Sequence, residues 1–125
     1  MRINVIVIIS TLLSFRIGIN ATNFLYKTSW MTGHNNLFNA ANWRDAGEIT
    51  ANSRTDFDVC NRENGSTLNV VAWQGQYIKF YNHGSDTFEY YVQDLNDPNS
   101  RWMMETIDAH YHHLVAVDKA NVWIR

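Results

Sequence analysis

Beyond residue 22 the chain is cut into short runs rich in Val, Ile, Thr, Tyr, Phe and Trp, separated by clusters of Asn, Gly, Asp and Ser. That punctuation predicts strands and turns, because β-branched and aromatic side chains fit a pleated, half-buried surface while the small polar residues and glycine fit turns. Phe24 to Met31 alternates, with Phe24, Tyr26 and Trp30 on one face and Lys27 and Ser29 on the other. Thr55 to Cys60 sets Thr55, Phe57 and Val59 together and leaves Asp56 and Asp58 on a wet face. Thr67 to Trp73 and Tyr77 to Tyr81 flank Gln74-Gly75-Gln76 and read as a hairpin. A turn at residues 82–86 leads into a strand over Thr87 to Gln93, and the loop at 94–100, which holds the only proline, is the strongest break. Trp102 to Ile107, His110 to Val117 and Val122 to Ile124 complete the set. Helical spacing occurs only in Asn36 to Ala46, where Leu37, Ala40, Ala41 and Arg44 share a face and Gly47 could end the helix. The asparagines within that stretch leave an ordered loop as an equal alternative. About eight strands joined by polar turns predict an all-β fold, a single-domain antiparallel β-sandwich over residues 22–125 with at most one short helix. A small barrel is the alternative.

Residues 1–21 read as a secretory signal peptide. Arg2 precedes an apolar core from Val5 to Phe15, and Ile19-Asn20-Ala21 forms a cleavage pattern. Ser10, Thr11 and Ser14 interrupt that core and Arg16 ends it, short of the roughly 20 residues a membrane span needs. The expected localisation is therefore extracellular, with no transmembrane span. Cleavage removes Arg2 and Arg16 but no acid, so the mature domain is more acidic than the full chain with its net charge of −2. With no basic surplus to neutralise phosphates, nucleic acid is excluded as a partner. The 46% hydrophobic content, with five tryptophans, six tyrosines and six phenylalanines, excludes a disordered chain. The lone Cys60 cannot form an internal disulfide, so stability must come from packing. Its thiol is either buried and inert or the partner in an intermolecular disulfide. Asn64-Gly65-Ser66 is a glycosylation acceptor in a turn if the host is a eukaryote.

Reactive side chains are densest at Asp108-Ala109-His110-Tyr111-His112-His113. On a strand, Asp108, His110 and His112 would project from one face and His113 from the other. Two imidazoles and a carboxylate could then hold zinc, with His34 or His83 from loops completing the site. This defines one functional class, a secreted metal-binding protein or metal-dependent hydrolase. The simpler reading is a solvated or hydrogen-bonded histidine strand. No nucleophile elbow marks an activated serine or cysteine. The acid pairs Asp56/Asp58 and Asp94/Asp97 read as wet sheet faces rather than a glycosidase dyad. A non-enzymatic role with no cofactor leads.

Trp73, Tyr77, Phe80, Tyr81, Phe88, Tyr90 and Tyr91 crowd between residues 73 and 91, and Tyr90 and Tyr91 must point to opposite faces of a strand. One core cannot take both faces unless the strand is central and two-sided. The surplus points to a recognition surface built from Trp73, Tyr77, Tyr81, Tyr90 and Tyr91, since flat rings with polar tips suit sugar rings and lipid headgroups. The weak negative charge favours uncharged or zwitterionic ligands over anionic membranes.

The order of tyrosine, Gly-Asp turn, aromatic strand and polar loop from Tyr81-Asn82-His83-Gly84-Ser85-Asp86-Thr87 through Phe88 to Trp102 resembles a stretch of the aegerolysins. Gly47-Glu48-Ile49-Thr50 leading into Thr55 to Cys60 is similar in layout to that family and to actinoporin-like cytolysins and lectins. The resemblance covers at most half of the mature chain. It implies a small acidic β-sandwich with a lipid- or glycan-facing aromatic surface, and it assigns no site residue.

Overall fold

A computed structural model describes residues 23–54 and 57–125. The expected signal peptide, Thr55 and Asp56 lie outside the described residues. Nine strands are formed among them: β1 (Phe24–Tyr26), β2 (Arg44–Thr50), β3 (Phe57–Asn61), β4 (Thr67–Trp73), β5 (Tyr77–Asn82), β6 (Phe88–Asp94), β7 (Trp102–Ile107), β8 (His112–Ala116) and β9 (Lys119–Ile124). They make two sheets, one in the order β2-β9-β6-β7 and one in the order β1-β8-β5-β4-β3. Every pairing is antiparallel except β1 with β8. The expected all-β sandwich is what the chain forms.

The core lies between the sheets and follows from the period-2 pattern. Leu68 and Val70 of β4, Ile78 and Phe80 of β5, and Val115 of β8 face Tyr90 and Val92 of β6, Met103 and Ile107 of β7, and Val122 and Ile124 of β9. All of these are fully buried. Phe80 stacks on Tyr90 across the sheets, centroids 3.8 Å apart. At one end Asn82, also fully buried, ties the β5–β6 corner. Its Nδ2 donates to the Asp86 and Ile107 carbonyls, and its Oδ1 accepts from the Gly84 N–H. Beside it a Cβ on Gly84 would stand 2.7 Å from both Cα and Cβ of Ser66, so only glycine fits this corner.

One open alternative is decided for the ordered loop, and two expectations change. Residues 36–46 do not form an α-helix: Ala40–Asn42 is one 3-10 turn capped by the Asn39 side chain, and Arg44 already belongs to β2. Gly47, expected to end a helix, instead sits at φ +86° next to a register shift in the β2–β9 pairing, the signature of a bulge. The strand expected over residues 24–31 shortens to Phe24–Tyr26, and Met31 rejoins the four-stranded sheet only as a bridge to Trp102. Finally, β3 is turned over relative to expectation. Cys60 packs against the core, and Asp58, on the same face, receives both guanidinium nitrogens of Arg44 from the opposite sheet. That pair holds the Asp58 carboxyl below the usual carboxylate range.

Candidate functional site

Alternation and strand register place Phe24, Tyr26, Val59, Asn61, Thr67, Asn69, Val71, Trp73, Tyr77, Lys79, Tyr81, His112, Leu114 and Ala116 on the outer face of the five-stranded sheet. Three of the five expected ligand residues, Trp73, Tyr77 and Tyr81, therefore share this face. Among its described positions none is acidic and Lys79 is the single formal charge, in a chain with twelve acidic residues. His112 is stacked between Phe24 and Tyr81, with centroids 4.1 and 3.9 Å away and planes within 9°. His83 covers the other side of Tyr81 at 3.8 Å. Stacking runs from strand to strand, so these rings stand on edge and present rims rather than faces to solvent. The Lys79 ammonium lies 3.7 Å over the Trp73 ring, and Tyr26, 65% exposed, meets Tyr77 edge-on. Burial, reinforced by Lys79 and His83, pushes the His112 pKa down to about 4.

Tyr90 and Tyr91 do point in opposite directions, but neither joins that face. Tyr90 is fully buried, its hydroxyl 2.9 Å from His113 Nδ1, so the expectation that it contacts a ligand fails. It is the two-sided central strand, β6, that takes it into the core. Tyr91 lies on the outer face of the four-stranded sheet, beneath the segment that leads into β2. Phe38 stacks on it at 3.9 Å and 15°, Trp102 lies parallel at 5.6 Å, and Trp123 and Trp43 meet it edge-on. Phe38, Tyr91 and Trp102 line a hollow of about 430 Å³ together with Gly33, His34, Asn35, Gln93, Asn99 and Ser100. This second aromatic site was missed at the sequence level because Phe38 and Trp43 come from a segment with no strand signal.

The expected metal face does not form. Residues 108–111 make a turn rather than a strand, closed by the Tyr111 N–H donating to the Asp108 carbonyl, with His110 at φ +67°. Asp108 accepts from the Thr87 hydroxyl at 3.3 Å, His112 lies in the ring stack, and His113 is buried on the other side of β8. Among the described residues no group of three or more His, Cys, Asp or Glu side chains converges on one point. His112 and His113 do take opposite faces, as their adjacency on a strand requires.

Cys60 is half-buried with its thiol pKa raised by burial. Asn64 is exposed on the turn before β4, its Nδ2 donating to Asp86 and its Oδ1 accepting from the Ser66 N–H. No described helix is long and apolar enough to cross a membrane. No protein-family model, curated protein or solved structure matches the chain.

Proposed function

We propose that the protein is an exported, non-enzymatic binding module that seats the outer face of its five-stranded sheet on a zwitterionic lipid surface. The observation that carries this reading is the face itself: aromatic, free of carboxylates at its described positions, and holding one cation in an acidic chain. Rings standing on edge leave few free faces for a sugar to stack on. They do offer apolar bodies ending in hydroxyl tips, the amphipathic character that places Tyr and Trp at the lipid–water boundary. Lys79 adds one positive charge for a headgroup phosphate, and the negative net charge works against anionic membranes. It is also the activity that the resemblance to aegerolysins implies.

Co-sedimentation with phosphatidylcholine vesicles tests it. Binding is expected, and replacing the exposed Tyr26 and the half-buried Trp73 together with Ser should weaken it by tenfold or more, about 1.4 kcal/mol. Adding phosphatidylglycerol should not strengthen it. Absence of binding, or binding indifferent to both substitutions, would overturn the proposal.

A further inference from the structure

The hollow over Tyr91 differs in kind from other concavities on the molecule. One of those is lined by Arg54, another by Asp94, Asp97, Arg101 and Asp118, and another by Asp118 and Lys119. The hollow over Tyr91 has no Asp, Glu, Lys or Arg in its lining. Its walls combine three rings, whose successive planes lie within 15° of each other, with the amides of Asn35, Gln93 and Asn99. The Trp102 Nε1 donates to the Gly33 carbonyl at 3.0 Å, which fixes the indole as a wall.

Within this setting Asn35 is half satisfied. Its Oδ1 accepts from the Leu37 N–H at 2.9 Å, whereas its Nδ2 is shut off from solvent without a hydrogen bond of good geometry. It lies close enough to the Tyr91 hydroxyl to draw that phenol's pKa down against the larger upward effect of burial. A buried amide donor without a full partner costs free energy that an incoming acceptor recovers. Apolar ring edges, neutral amides and a donor short of a well-placed partner are together the complement of an uncharged sugar unit, which has apolar C–H patches, a rim of hydroxyls and no charge. At about 430 Å³ the hollow sits at the small end of the ligand-pocket range of roughly 300–1,000 Å³, a size for one sugar unit rather than an acyl chain.

We propose that the groove formed by Asn35, Phe38, Tyr91, Gln93 and Trp102 binds a single ring of a neutral glycan, whose entry turns Asn35 Nδ2 out of its present enclosure to donate to a ring or exocyclic oxygen. The groove lies on the opposite sheet from the lipid-facing surface, so the two proposals stand or fall separately.

The test is NMR titration of the isotopically labelled domain with glucose, galactose, mannose and N-acetylglucosamine, and separately with glucuronate and phosphocholine. At least one neutral sugar should bind with a Kd in the millimolar range expected for one ring, shifting the Trp102 indole and Gly33 signals. Asn35→Ala and Gln93→Ala should each weaken it at least fivefold, while Tyr77→Ala, on the other sheet, should not. Gln93→Ala is the second probe should loss of the Asn35 turn contacts disturb the loop. Silence toward all four sugars would overturn the proposal. So would shifts that map to the other sheet, or a stronger response to glucuronate or phosphocholine than to any neutral sugar.

Discussion

Lowering the pH from 7 to 5 should destabilise the domain by about 2 kcal/mol through His113 alone. The ring is buried on the inner face of the five-stranded sheet, facing Tyr90 from β6, with its backbone partners Phe80 of β5 and Leu25 of β1 on either side. Burial pushes its pKa from 6.5 down to about 4, and Lys27 pushes the same way against weaker opposite pulls from Glu105 and Asp108. The Tyr90 phenol stays protonated, its own pKa raised well above 10 by burial. Both partners of the hydrogen bond are therefore neutral, and a proton added to the imidazole would be buried as a charge. The unfolded chain takes up a proton as pH falls through 6.5 and the folded one does not until about 4. Stability is thus complete above the upper value and lost on the way to the lower. With these two values, proton linkage gives about 2 kcal/mol at pH 5, levelling off at ~3.4 kcal/mol in stronger acid. For a domain of this size that is a fall in Tm of roughly 8–16 °C. His112, partly exposed and lowered in the same direction, adds a smaller loss over the same range. Urea unfolding at pH 7, 6 and 5 measures the total. The double variant Tyr90→Phe/His113→Leu removes both partners and leaves no orphaned hydroxyl, and its acid-induced loss should be smaller than that of the parent by about 2 kcal/mol. A parent stable to pH 5, or a double variant with an undiminished loss, would refute the reasoning.

Two further substitutions probe the β5–β6 corner. Asn82→Ala leaves the Asp86 and Ile107 carbonyls and the Gly84 N–H without their side-chain partner, and should cost ~3 kcal/mol or more by denaturant unfolding. Gly84→Ala drives a methyl into the Ser66 backbone and should cost ~1–3 kcal/mol. Gly75→Ala, which meets open space but sits at φ +73°, should cost ~1–2 kcal/mol from backbone strain alone.

The hairpin around Gly75 was legible because its signals are local: period-2 runs on both sides and a turn in which Gln74 and Gly75 both take positive φ. The facing of β3 was not. Alternation assigns a buried side only when one side is polar, and the outer face of this sheet is nearly as apolar as its core. Asp58 therefore read as wet, although Arg44, fourteen residues away and in the other sheet, neutralises it. The strand Arg44–Thr50 was hidden for a related reason. Its only fully buried apolar residue is Ile49, and the bulge at Gly47 breaks the two-residue period. At the candidate site, Trp73, Tyr77 and Tyr81 share odd positions on paired strands, which the sequence displays. The lodging of Tyr90 against His113 depends on a contact between sheets that no local pattern records.

The order of the strands also dictates when the molecule can be completed during synthesis. Among the described strands, β9 alone bridges β2 and β6, and β8 alone bridges β1 and β5. Both come from residues 112–124, far along the chain from β1 and β2. A ribosome that has released everything up to residue 110 has made seven of the nine described strands, yet β1 and β2 still lack their partners and the buried edges of β5 and β6 lie open. Such late closure predicts slow folding and a nascent chain exposed to edge-to-edge association. Of the described strands, β1 and β2 emerge first and are then the last to be fixed in place.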